Sequence, residues 1–288
     1  MVSVVIVNYN NPELIANCIR SIDRYLALKV YEIVIVDNAS IDENLCYLEL
    51  NYPRIRIIRL EKNFGFGYAA NVGFKEAVYE TVMVINSDAY LFDKSMTEMI
   101  LSFNRSLGHE IWSPINTDCA GIIQDTGRLE RTFLDFVIRD SVAGEFMKML
   151  KLRTIKPMIN TTGDLLEVEQ VYGTCFVTQK SSFLELGGFD ERFFMYYEDL
   201  DLCDRFQEVY GVKPKIFLNA KVVHTVQGSK ERNELVNLKF LKSKYMYAKK
   251  RFGVARTTFL FLVDFPSMVV YEVILRVLHV FRAARLKA

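Results

Sequence analysis

The stretch FFMYYEDLDLCDRF, residues 193–206, sets Glu198, Asp199, Asp201 and Asp204 at the start of an amphipathic pattern. If residues 198–209 are helical, Asp199 shares a face with Leu202, Cys203 and Phe206, because positions three, four and seven apart stack on one side. A carboxylate on the apolar face of a helix start is a place for a general base. It is equally a place for a plain N-terminal residue that the helix dipole favours by about 0.3–1 kcal/mol. Asp201 falls on the other row, with Asp204, Arg205 and Glu208. Its pairing with Arg205 four residues on is expected to sit in solvent.

A second set of polar residues lies just past short apolar runs: Asn8 and Asn10 after VSVVIV, Asp37 and Asn38 after EIVIV, Asn63 beyond IRIIRL, and Asn86, Ser87 and Asp88 after TVMVI. Runs this short and apolar predict buried strands. Between them, apolar residues at 14, 15, 18, 19, 22, 25 and 26 keep helical spacing behind Asn11 and Pro12, and YAANVGFKEAV reads as a helix after a glycine-rich turn. Strand and helix alternate, so residues 1–105 are expected to form a mostly parallel sheet flanked by helices. Such sheets bind ligands at the carboxyl ends of their strands. Any one of Asn8, Asp37, Asn63 and Asp88 is ordinarily a turn residue, but four at successive strand ends suggest a site. Gly65 and Gly67 match neither a dinucleotide fingerprint nor a Lys-Ser/Thr phosphate loop.

Residues 106–165, with Pro114 and several Gly and Asn, are expected to be a substrate-facing excursion with a helix near 133–152. Beyond it KPKIFL and KVVHTV read as two strands, and the last fifty residues as mainly helical.

Of the 288 residues, 51% are hydrophobic and 25% charged, the composition of a globular chain. The five cysteines, Cys18, Cys46, Cys119, Cys175 and Cys203, form no CxxC pair and read as reduced, buried thiols of a cytosolic protein. The N-terminus has no basic lead and meets polar residues early, unlike a signal peptide. Charge is uneven. Residues 239–288 hold eleven Lys and Arg against Asp264 and Glu272, a balance of +9 that leaves −8 for residues 1–238 of a chain whose total is +1. A basic tail rich in apolar residues points to an anionic membrane surface more than to nucleic acid, for which no recognised module is present. Asp264, Pro266, Glu272 and Arg276 interrupt any membrane span, and residues 267–283 read as a helix lying on the surface. Packing on the preceding domain or dimerisation is the alternative use of that helix.

Six segments in order, VSVVIVNYNNPELIANCIRSI, EIVIVDNASID, NFGFGYAANVGF, VINSDAYL, GTCFVTQKSSFLELGGFDERFFMYYEDLDLCDRF and VVHTVQGS, resemble the family 2 nucleotide-sugar glycosyltransferases of GT-A fold, especially the bacterial rhamnosyltransferase-like branch. The resemblance spans roughly residues 2–226. It implies an α/β, Rossmann-like, mixed and mostly parallel sheet flanked by helices, with a C-terminal helical extension. The implied division is a catalytic domain over 1–230, with a nucleotide-binding half 1–105 and an acceptor and catalytic half 106–230, followed by a basic tail 231–288.

By the same resemblance Asp37 binds the nucleobase, with Asn8, Asn63 and Gly65 lining the nucleotide pocket. The Asn86-Ser87-Asp88 turn stands at the metal-binding position. Its first residue is Asn86, which leaves Asp88 as the carboxylate ligand of Mg²⁺ or Mn²⁺, with His224 as a further ligand or as a structural histidine. Asp199 is implied as the general base for the acceptor hydroxyl and Glu198 as a residue that positions the acceptor, while Phe193, Phe194, Tyr196 and Tyr197 offer an apolar wall to a sugar face. One displacement by a base-activated hydroxyl inverts the anomeric carbon. The implied donor is a dTDP- or UDP-sugar, dTDP-L-rhamnose first and a UDP-hexose next. The implied acceptor is a bacterial surface glycan, in particular a lipid-linked oligosaccharide, reached from the cytoplasmic face of the membrane. A sugar-1-phosphate nucleotidyltransferase would open with a Gly-rich, Arg- and Lys-bearing loop that NYNNPEL lacks. A non-catalytic homologue would most simply have lost Asp88 or Asp199, and both are present.

Overall fold

A computed structural model describes residues 1–29, 31–41, 45–52, 54–106, 108–129, 132–141, 144, 163–225 and 238–266. Contacts divide the chain into two compact units, Met1–Glu130 with Pro157–Arg232, and Arg131–Lys156 with Asn233–Ala288. The segment around residue 133 therefore belongs with the C-terminal unit, an assignment its sequence does not suggest.

In the first unit, β1 (Val2–Asn8), β2 (Tyr31–Asp37), β3 (Ile55–Arg59) and β4 (Thr81–Ile85) are parallel and lie in the order β3-β2-β1-β4. The sheet continues through β10 (Cys175–Gln179), antiparallel to β4, and then through β6 (Ile111–Thr117), β11 (Lys215–His224) and the short β5 (Ala89–Tyr90). Because side chains alternate along a strand, β1 feeds two cores. Val4 and Ile6 face Ile15, Ile19 and Ile22 of α1 (Pro12–Tyr25) and Met96, Ile100 and Phe103 of α4 (Ser95–Phe103). Val5 faces Ala69, Ala70 and Phe74 of α3 (Phe66–Glu76), in a core shared with Leu202 and Phe206 of the helix Glu198–Tyr210. Pro12 occupies the first turn of α1 as expected, but the Asn11 side chain caps nothing there. Its amide donates to the Tyr9 carbonyl instead.

Four expectations need correction. Residues 111–117 are no excursion: β6 is buried throughout and lies between β10 and β11. Pro114 lies past the two β10 pairings, at Ile111 and Trp112, and stands opposite Phe217 in β11. Ser113 spends its hydroxyl on the Cys175 carbonyl at 2.9 Å. KPKIFL and KVVHTV are one strand, β11, whose register shifts between Phe217 and Lys221. Asp201 and Asp204 are buried, not solvated: Asp201 Oδ2 takes the Arg205 Nε–H at 2.8 Å, and Asp204 Oδ1 takes the Gln170 amide at 3.0 Å. Among the described cysteine side chains Cys18, Cys175 and Cys203 are buried, while Cys119 is exposed.

In the second unit, Thr132 caps the helix Phe133–Asp140 by accepting the Asp135 N–H at 3.0 Å. That helix packs through Phe133 and Phe136 on Tyr247 and Phe252 of the helix Leu238–Phe252. Residues 254–266 form a further helix. No helix among the described residues is long and apolar enough to cross a membrane. The surface helix expected over 267–283 lies outside the described residues.

Candidate active site

The β1–β2 register sets Asn8 directly beside Asp37, so two polar side chains meet at the carboxyl edge of the sheet. Asn8 Nδ2 donates to Asp37 Oδ1 at 2.9 Å and to Ser40 Oγ at 3.1 Å. Ser40 returns its hydroxyl to Asp37 Oδ1 at 2.5 Å and its N–H to Oδ2 at 3.2 Å. The carboxylate is thus fixed by neutral donors. Asn8 Oδ1, fully buried, has no hydrogen-bond partner, and a buried acceptor left bare is costly unless a ligand supplies the donor. Ser40 was not singled out from sequence, although its place in DNAS, three residues past the strand end, is a common one for a turn hydroxyl.

The next turn is built the same way. Asn38 Nδ2 donates to Asn63 Oδ1 at 2.9 Å and to the Gly65 carbonyl at 3.1 Å, and Asn63 Oδ1 also accepts the Gly65 N–H at 3.0 Å. Gly65 adopts φ +95°, and the Phe66 N–H donates to the Phe194 carbonyl at 2.9 Å. A Cβ at Gly65 would lie 2.2 Å from that carbonyl oxygen. The strand-end loop and the aromatic loop are therefore joined backbone to backbone, and only glycine permits it. Gly65→Ala is expected to lower the thermal unfolding midpoint, with a stability loss of about 2–4 kcal/mol from strain and overlap. An unchanged midpoint would show that the loops can part at little cost.

Past Phe194, Tyr196 and Tyr197 both take left-handed backbone angles, φ 69° each, and Glu198 opens its helix directly behind them. Phe193 and Tyr197 are core residues, which leaves Phe194 and Tyr196 as the half-buried aromatics of this loop. Two successive non-glycine residues in this region carry strain of the kind that clusters at functional sites.

Asp199 is half-buried, and both of its oxygens are engaged: Oδ2 accepts the Gly173 N–H at 2.7 Å and Oδ1 the Leu200 N–H at 2.8 Å. Glu198 is buried, with Oε2 unpartnered. Burial raises both acids above the ordinary carboxylate range. For Asp199 the two N–H groups and the charge of Arg128, a buried residue on the short strand Gly127–Arg128, work against that rise. Glu198 goes well above, first through burial and then through the Asp199 charge. The pair thus splits into a proton holder, Glu198, and a partner that ionises first, Asp199.

An acid whose folded pKa is raised leaves the fold most stable below its unfolded pKa, about 4.3 for Glu, and costs stability as pH climbs through the folded value. Glu198→Gln is expected to raise the unfolding midpoint at pH 8, with the gain shrinking toward pH 4. A gain of equal size at both pH values would remove the ionisation argument.

The Gly173–Thr174 segment serves both sides of the site. Gly173 donates to Asp199, and the Thr174 carbonyl accepts the Asn86 N–H at 2.9 Å. Two residues on, Asp88 Oδ1 lies 3.3 Å from His224 Nε2 at the end of β11, while the Asp88 carbonyl accepts both the N–H and the hydroxyl of Thr225. Two ligand atoms of one octahedral ion, each at about 2.1 Å, are about 3 Å apart. Asp88 and His224 fit a divalent cation as a hard oxygen and a borderline nitrogen, with the remaining positions left to ligand oxygens and water. No cluster of three or more His, Cys, Asp or Glu that could hold a metal occurs among the described residues. Asn8, Asp37, Asn63, Gly65, Asn86, Asp88, Glu198, Asp199 and His224 all belong to the first unit.

The mixed sheet, parallel from β3 through β4 and continued by the antiparallel β10, has the GT-A fold. Residues 3–111 match the family model Glycosyl transferase family 2. It is 26% identical over 207 residues to the low-salt glycan biosynthesis hexosyltransferase Agl10 of Haloferax volcanii, which takes in 70% of this chain and 60% of that one. The chain is 25% identical over 231 residues to the N-acetylglucosaminyl-diphospho-decaprenol L-rhamnosyltransferase of Mycobacterium tuberculosis, 76% of this chain and 75% of the relative. Among solved structures, GalNAc-T7 with UDP, GalNAc and Mn²⁺ shares the fold, with a TM-score of 0.64 at 16% identity, covering 86% of this chain and 48% of the other.

Proposed function

We propose that the chain is a divalent-cation-dependent, inverting glycosyltransferase that moves a sugar from a nucleoside-diphosphate donor to a hydroxyl of a glycan or lipid-linked acceptor. The observation that carries this reading is the Asp199 carboxylate: held on both oxygens by backbone N–H groups, it hangs from the same Gly173–Thr174 segment that supports the Asn86–Asp88 turn. Asp37 takes an imide N–H of uracil or thymine, and the bare Asn8 Oδ1 takes a second donor from the nucleotide. The acceptor hydroxyl gives its proton to Asp199 as its oxygen bonds the anomeric carbon from one face. The bond from that carbon to the diphosphate oxygen breaks on the other. One displacement inverts the centre. Glu198 keeps its proton, and its unpartnered Oε2 is available to the acceptor. A cation at Asp88 and His224 would supply charge neutralisation to the departing diphosphate.

L-Rhamnose from a dTDP donor is the first specificity assigned, supported by the mycobacterial relative's name, with a UDP-hexose as the alternative. A nucleotide-release screen of purified protein against dTDP-, UDP- and GDP-sugars, with a prenyl-diphosphate-linked saccharide as acceptor, tests both layers. Release with no donor would overturn the reaction, and release only with UDP-hexoses would overturn rhamnose.

A further inference from the structure

The helix over residues 254–266 is amphipathic the wrong way round. At 100° per residue, Leu260 and Asp264 lie on its inner side and are fully buried. Its outer side carries Val254, Phe259, Phe261, Leu262 and Phe265, between 48% and 64% exposed. Asp264 is satisfied inside the unit: Lys244 Nζ lies 2.5 Å from Oδ2, the Tyr245 hydroxyl donates to the same oxygen at 2.9 Å, and Lys244 also donates to the Asp140 carbonyl at 2.8 Å. A helix standing in water buries its apolar stripe and shows its charges. Among its described residues this one hides its one carboxylate in an ion pair, at the expense of desolvating two charges, and leaves three phenylalanines exposed, of which Phe259 also touches Phe133 and Phe261 touches Tyr245.

The surroundings say what covers that face. Residues 238–266 contain seven Lys and Arg and a single acid, the buried Asp264. Lys239, Lys242, Lys249, Lys250 and Arg256 are exposed. In sequence, residues 267–288 keep the bias, with Arg276, Arg282, Arg285 and Lys287 against Glu272. A second protein copy would match the apolar residues but give no use to so one-sided a charge. The thirteen described helical residues extend about 20 Å, short of the roughly 30 Å hydrocarbon core. We propose that the outer face of helix 254–266, with Phe259, Phe261, Leu262 and Phe265 leading and the flanking lysines on the headgroups, inserts shallowly into an anionic lipid bilayer. This surface is independent of the reaction assigned above.

Full-length protein is mixed with vesicles of phosphatidylglycerol and phosphatidylcholine, or of phosphatidylcholine alone, and sedimented. Wild type is expected to pellet with the anionic vesicles and to be released by salt. The Phe259→Ser/Leu262→Ser/Phe265→Ser variant should lose partitioning by on the order of a hundredfold. Lys249→Glu/Lys250→Glu should lose about tenfold or more at low salt. Phe261→Trp reports on the face itself, since the native Trp112 is buried in the sheet. The introduced indole should shift to the blue on anionic vesicles and be quenched by brominated lipid acyl chains. Circular dichroism establishes that each variant is folded. Vesicle binding with the indole still in water would place the contact elsewhere in the chain and overturn the proposal. So would unchanged binding of the triple variant, absence of binding by wild type, or a concentration-dependent dimer that the triple variant dissolves.

Discussion

Asp199→Asn is expected to lower turnover by about 10²–10⁴, the range for removing a general base, while donor affinity measured by calorimetry stays near that of wild type. The two halves of this result come from different parts of the site. An amide can still accept the Gly173 N–H that fixes the side chain at 2.7 Å but not also the Leu200 N–H held at 2.8 Å, so circular dichroism and the unfolding midpoint are read alongside to show that the helix start keeps its place. What is lost is the proposed base for the acceptor proton. The pH profile adds an independent reading. Burial outweighs the two N–H bonds and the Arg128 charge on Asp199, so the acid limb of kcat/KM should lie above the usual aspartate value of about 3.9. In Asp199→Asn that limb should disappear along with the rate. Near-normal turnover, or a loss shared equally by donor binding, would remove Asp199 from the role of base.

Why so much of this site is legible in sequence, and where legibility stops, follows from range. Asn8 and Asp37 end apolar runs, and period-two burial with parallel pairing then forces them side by side. Gly65 could be seen as a turn, but the need for glycine comes from Phe194, whose carbonyl would lie 2.2 Å from any Cβ there. That is a contact across 129 residues, and no local pattern announces it. Asp201 misleads for the same reason. Its i,i+4 partner is readable, yet Arg205 also donates to the Leu186 carbonyl at 2.9 Å, which draws the whole pair inside. Pro114 hid a central strand because propensity counts the lost N–H, whereas β6 is held by β10 at Ile111 and Trp112 and by β11 along its length. Arg128 carried no signal at all: it acts on Asp199 through space, from a two-residue strand that exists only because Gln170–Val171 pairs with it. The helix over 254–266 inverts the rule by which faces are assigned, and only the Lys244–Asp264 contact shows which side is inward.

Asp88→Ala is expected to abolish the cation-dependent part of nucleotide binding. The Asp88 backbone is already held by Thr225 through two hydrogen bonds to its carbonyl, so removing the carboxylate should leave the turn in place and the unfolding midpoint within about 1 kcal/mol of wild type. In calorimetry, wild type should bind dTDP or UDP more tightly with Mn²⁺ than in EDTA, and the variant should bind equally weakly under both conditions. Loss of several kcal/mol of charge stabilisation at the leaving diphosphate corresponds to a turnover deficit on the order of a hundredfold or more. His224→Ala should fall between the two proteins, because the imidazole lies 3.3 Å from Asp88 Oδ1 and would supply the second ligand without the charge. Manganese electron paramagnetic resonance separates binding from catalysis: with nucleotide present, the free-ion signal should diminish with wild type and persist with Asp88→Ala. Nucleotide affinity that is the same in Mn²⁺ and EDTA for wild type would show that the strand-end asparagines, Asp37 and the backbone hold the donor unaided. His224 would then be a strand-end residue that hydrogen-bonds Asp88 and nothing more.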